Sequence, residues 1–206
     1  MPNLLDKSTL QFLTQNENLP SVLTLFRYRD AILDQLLRNF WVGLQSHIQK
    51  SIPRKLQGLV LDIDPTVEKM TDKYAGLRYC DAGMDDHDEY IYYFIDHEMW
   101  SGKRRVLYGL GWWTESDNLP KTSLTKLPQV IQARQRMVDL GFTPSKHSLG
   151  WLELSDLAEE SAESFLMNHA FDPQGAYSQI AESFFPMVEE TYELMLKANE
   201  AIRKAG

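Results

Sequence analysis

The residues whose types could do chemistry crowd into positions 85–113. Asp85-Asp86-His87-Asp88-Glu89 is a run of carboxylates, and hard cations take several oxygen ligands from such runs. A calcium loop, however, needs acids at alternate positions, a central Gly and a distal Glu. Here the acids are contiguous and no such Gly interrupts them. A solvated hairpin loop accounts for the same residues. Further along, Asp96-His97-Glu98 spells a triad. The stretch around it, Tyr90–Trp100, is rich in Tyr, Ile and Phe and reads as a strand. Successive side chains on a strand point to opposite faces. Asp96 and Glu98 therefore share a face with Tyr92, Phe94 and Trp100, while His97 faces away with Ile91, Tyr93, Ile95 and Met99. The three cannot meet one ion. The Asp96–Glu98 pair, its Cα atoms about 7 Å apart, suits a shared metal or acid/base work, with Asp85 and Asp86 completing a metal set. Pairing with Lys103, Arg104 or Arg105 across the next turn is the alternative.

Other motifs lead nowhere catalytic. Asp62-Ile63-Asp64 has the look of an aspartate phosphotransfer motif, but that chemistry needs a parallel strand–helix succession, and none follows. His47, His147 and His169 have no second His at a ligand spacing. The chain lacks a nucleophile elbow, a phosphate-binding Gly-rich loop and a dinucleotide fingerprint. No catalytic residue and no cofactor are expected. Packing or partner binding is favoured over chemistry. Gly109 and Gly111 lie on one face of a strand, and glycine within a strand marks a bulge, a bend or close approach by another segment. Either a large side chain fills the gap, or a partner segment or small ligand does. Trp100, Tyr108, Gly109, Gly111, Trp112 and Trp113 are the candidate binding residues.

The positioning elements follow from periodicity. Ile32, Leu33, Leu36, Leu37, Phe40, Trp41, Leu44 and Ile48 recur at three- and four-residue steps, which predicts a helix over 28–51, stopped by Pro53. Strands are predicted at 59–63, 74–80, 90–100 and 106–113, the last two joined at Ser101-Gly102. After a loop at 117–120, Thr125 with Pro128 opens a helix that ends at Gly141. Residues 142–151 read as a loop or a short extended segment. Ser155 caps a helix to about His169, and Pro173 opens a last one, which Pro186 kinks or splits. A short helix with Ser8 as cap lies in the first 20 residues. The fold class expected is α+β: a small antiparallel meander of three or four strands, packed by a long N-terminal helix and C-terminal helices.

The 206 residues suit a single domain, with 1–20 an N-terminal segment, 28–150 the helix-plus-sheet core and 151–206 a C-terminal helical part. A chain of this length buries roughly 70% of its unfolded surface and needs no staple. Cys80 is the only cysteine, which excludes an internal disulfide and a multi-cysteine zinc site. No apolar run reaches the ~20 residues a membrane helix needs, and the N-terminus lacks the layout of a signal peptide. A cytoplasmic protein without a membrane segment is expected. The net charge of −8 disfavours direct nucleic-acid binding. It is patchy: residues 59–100 and 151–206 each carry 11 acids against 3 bases, and 101–150 carry 8 bases against 3 acids.

From Phe40 to Trp113 the order of FWVGLQSHI, KYAGLRY, EYIYYFIDHE and VLYGLGWW resembles the region after the nuclease core in some bacterial PD-(D/E)XK nuclease-like proteins of unknown role. The nuclease signature is missing, since Asp96-His97-Glu98 lacks the Lys, so no catalytic residue carries over. The resemblance implies an accessory or interaction module. The function expected is that of a non-catalytic acidic protein that binds another protein, of the kind met among phage- or defence-associated accessory, inhibitor or neutralising factors. A metal-dependent hydrolase and a small-ligand binder are the alternatives, and a homo-oligomer is allowed.

Overall fold

The computed structural model describes residues 7–61, 74–81, 89–100, 103–114, 119–159, 161–170 and 173–205. The strands are β1 (Leu59–Leu61), β2 (Tyr74–Asp81), β3 (Glu89–Trp100), β4 (Lys103–Thr114) and β5 (Ser148–Glu153). They lie side by side in that order, each antiparallel to the next. The architecture is α+β with an antiparallel meander, as expected, but with a fifth strand. β5 falls where a loop or short extended segment was expected. Its Trp151 bridges back to Thr143, and its pairing with β4 shifts register between Leu110 and Gly111.

The helices are α1 (Lys7–Leu13), α2 (Leu19–Ser51), α3 (Thr122–Thr125), α4 (Pro128–Asp139), α5 (Ala162–Phe165) and α6 (Pro173–Ala205). Several elements differ from the sequence reading. Thr125 ends α3 and does not cap α4, whose cap position is Leu127, and Ser8 lies inside α1. α2 starts at Leu19, not near Tyr28, with Pro20 in its first turn, where a missing N–H costs nothing. The single helix expected from Ser155 to His169 is instead a 3₁₀ turn at Ser155–Leu157, the one-turn α5 and a π turn at Leu166–Ala170. Ser161 Oγ accepts from the Ser164 N–H and starts that turn anew. α6 runs unbroken through Pro186. That proline sits on the exposed side, as does Glu182, so the carbonyl it leaves unpaired faces water.

Alternation gives the sheet two distinct faces. Leu77, Tyr79, Ile91, Tyr93, Ile95, Val106, Tyr108 and Leu110 are buried on one of them. They form one cluster with Phe40, Trp41, Leu44 and Ile48 of α2, Met137 of α4, and Ile180, Phe184, Val188 and Ile202 of α6. Polar atoms lock this layer. The Ile91 N–H donates to Asn199 Oδ1 at 2.8 Å, and Asn199 Nδ2 donates to the Ile91 carbonyl at 3.0 Å. Tyr93 Oη and Thr191 Oγ1 share a bond at 3.0 Å. Where α2 and α6 cross, the Tyr177 hydroxyl donates to the Phe40 carbonyl at 2.9 Å. It occupies the space a Cβ would need at Gly43.

α2 outruns this core. Its burial begins at Leu37, and no described side chain before that residue is buried. The helix rises about 1.5 Å per residue, so roughly 20 Å of it, from Leu19 to Leu33, the first residue packed against the core, stands clear. Asn199 is fully buried, and its loss would strand one donor and one acceptor. Each orphaned group costs about 1–3 kcal/mol. Asn199→Ala is therefore expected to lower unfolding free energy by about 2–4 kcal/mol in urea titration, whereas Lys197→Ala, exposed on the same helix, should change it by less than about 0.5 kcal/mol.

Candidate functional site

The buried residues of the helices all belong to the first face. The second face has its own small cluster, made of sheet residues: Cys80 and Tyr90 are buried, and Tyr92 and Trp113 pack against them. Ladder register builds it. Arg78 sits opposite Phe94 on β2–β3, and Tyr90, Tyr92 and Phe94 sit opposite Trp113, Gly111 and Gly109 on β3–β4. Trp151 lies opposite Gly109 on β4–β5.

At the centre of this face is Arg78. Its guanidinium carbon lies 5.4 Å from the Tyr92 ring centre and 5.2 Å from that of Trp113. The Trp113 ring in turn stacks on Tyr90 at 5.9 Å and 25°. A cation over two π-faces is held electrostatically as well as sterically. Arg78 Nε is enclosed without a hydrogen-bond partner. Two residues along the ladder, Asp96 lies over Gly76; a Cβ there would be 2.6 Å from Asp96 Oδ1. That oxygen is shielded and unbonded. Desolvation pushes the Asp96 carboxyl up from 3.8 to about 6, against the opposing pull of Arg78. Across β4–β5, Arg105 Nη1 bonds Glu153 at 3.1 Å, both partly exposed.

The residues singled out from sequence scatter. Trp113, Gly109, Gly111 and Asp96 are on this second face. Tyr108 and Trp112 are buried on the helix side, Tyr108 edge-on to Phe142 at 5.3 Å. Asp85 and Asp86 lie outside the described residues, as do the side chains of Glu98 and Trp100. The space at Gly111 holds the Tyr92 and Phe94 rings, 3.1 and 3.3 Å from where a Cβ would be. At Gly109 the β5 main chain comes so close that a Cβ would strike the Gly150 carbonyl. His97 points to the core beside Trp41, ring centres 5.6 Å apart. Among the described residues, no three His, Cys, Asp or Glu side chains are placed to hold a metal, and no helix is long and apolar enough to cross a membrane.

Arg78 was not singled out from sequence. Its signal was available, a lone cation on the same strand face as Cys80, but its rings come from two other strands. The chain matches no family model, no curated protein and no solved structure.

The Asp96 environment has a pH consequence. Its folded-state pKa lies above the unfolded 3.8, so the native state prefers the protonated form. Its contribution is full below pH 3.8 and is lost as pH rises through about 6. Asp96→Asn should then be more stable than the parent by about 1–2 kcal/mol at pH 7, after allowance for solvent screening at a partly exposed group, and equal to it near pH 4. Urea midpoints across that range measure the gap; a gap constant with pH would remove Asp96 as its source.

Proposed function

We propose that this is a non-catalytic binding protein that meets another protein on the second face of its sheet, on which no described helix buries a side chain. The observation that carries the reading is Arg78 clamped between Tyr92 and Trp113. Trp, Tyr and Arg are the residues that most often anchor protein interfaces. A guanidinium held by two rings loses little further freedom on binding, and its fork suits a carboxylate better than any other side-chain group. The partner we expect therefore offers an acidic side chain to this face. The negative net charge of −8 argues against a nucleic-acid phosphate in that role. The resemblance of residues 40–113 to an accessory region of nuclease-like proteins is consistent with the same reading, and we place the protein in a cytoplasmic, interaction-only role.

Val60 is 41% exposed on the same face, opposite Cys80. A photo-crosslinking amino acid at Val60, expressed in the native host, is expected to trap one discrete protein adduct. Arg78→Ala should reduce that adduct about 30-fold or more, the loss of a hot-spot residue, with far-UV circular dichroism unchanged. Arg134→Ala, exposed on α4, should leave it intact. An adduct indifferent to Arg78 would sink the proposal.

A further inference from the structure

Asp96 and Arg78 share the second face of the sheet as diagonal neighbours on the β2–β3 ladder, where Gly76 sits opposite Asp96 and Arg78 opposite Phe94. Long side chains reach one another across such a diagonal. Both residues are partly exposed, yet Asp96 Oδ1 and Arg78 Nε are each closed to water and unbonded. On β4 the residue opposite Asp96 is Leu107, and the same-face cation beside it, Arg105, is bound to Glu153 of β5. Beyond Asp96 in the other direction stand Glu98 of β3 and Tyr74 of β2, whose side chains are outside the described residues. No described helix buries a side chain on this face. Among the described side chains, Arg78 is thus the cation that acts on Asp96, and the carboxylate in turn offsets the charge of Arg78.

Building on the acidic partner proposed above, we infer that the protonation state of Asp96 gates this face: the neutral acid admits the partner's carboxylate beside Arg78, and the ionised form weakens its hold. When Asp96 is ionised, the partner's carboxylate meets a second negative charge on the same face and an Arg78 already partly neutralised. Like charges this close repel more strongly in a partly desolvated patch than in open water. When Asp96 is neutral, the whole charge of Arg78 is available. The effect is reciprocal, since a bound acid must hold the proton on Asp96 more tightly. Burial moves the changeover to about 6. Affinity is therefore full below that pH and falls as pH rises through it. An exposed carboxylate, with its ordinary pKa near 4, would be ionised throughout that range and would gate nothing.

The probe is a short oligoglutamate peptide with capped ends, titrated into the full chain by calorimetry at about pH 5.5 and about pH 8. The expected Kd is about tenfold lower at the acid pH. Asp96→Asn, which keeps the shape of the neutral acid, should bind at both pH values with constants within about threefold of each other. Glu193→Gln, which removes one exposed acid of α6, should keep the pH profile of the parent and so separates Asp96 from net charge. Arg78→Ala should lose the binding at both pH values. By carbon NMR of the Asp96 carboxyl, saturating peptide should raise its titration midpoint. Binding that needs Arg78 but is equal at both pH values overturns the gate and leaves the binding face standing. So does a pH dependence that Asp96→Asn retains, or a midpoint that the peptide does not move. No binding that needs Arg78 at either pH removes the acidic-group site itself, and the gate with it.

Discussion

The carboxamide of Asn199 does for the central strand what a neighbouring strand would otherwise do. β2 pairs with β3 only as far as Tyr79–Tyr93; beyond that point Cys80 and Asp81 stay paired with β1 on the other edge of β2 but not with β3. The Ile91 N–H and carbonyl are left without a strand, in a place closed to water. An amide side chain has one donor group and one acceptor, which is what an interrupted ladder needs. By supplying both from α6, Asn199 fixes that helix against the sheet at one register, and the Tyr93–Thr191 bond two turns earlier fixes its rotation. A buried polar pair of this kind is costly unless fully satisfied, so α6 has no second way to dock. Among the described residues, all buried helical side chains are committed to that face.

Much of this was legible in the chain. Alternation in Glu89–Trp100 separated His97 from Asp96 correctly, because a two-residue period needs no tertiary knowledge. The stripe from Ile32 to Ile48 located α2. Its first half was missed because Tyr28, Arg29 and Asp30 interrupt the apolar pattern, and because a helix that buries nothing of itself has no core to announce it. β5 was missed for a different reason. Gly150 breaks its alternation, and the strand exists only through a shifted register on β4, a long-range event. The segment after Ser155 has a helix-like composition, but Ser161 caps a new turn within it, and local propensity yields to that break. Arg78 was invisible as a site because Tyr92 and Trp113 reach it from β3 and β4. No local pattern encodes a meeting of three strands.

The two exposed surfaces differ in the kind of cover they ask for. On the sheet, rings alternate with Arg78, Arg105 and Glu153, and the most apolar members, Tyr90 and Phe94, are already 2% and 7% exposed. Such a surface is tolerable in water, and a partner can leave it without exposing much oil. The free half of α2 is not of that kind. Leu23, Leu25, Phe26, Ile32 and Leu36 are all at least 40% exposed. Burying a large apolar side chain is worth about 1.5–3 kcal/mol, so this stretch forgoes several such terms when bare. Interfaces rich in aliphatic residues are those of permanent complexes, while mixed aromatic and charged ones serve partners that exchange. The division within α2 follows from that difference: its second half buries its stripe in the core of the chain, and its first half leaves the same kind of residue in water.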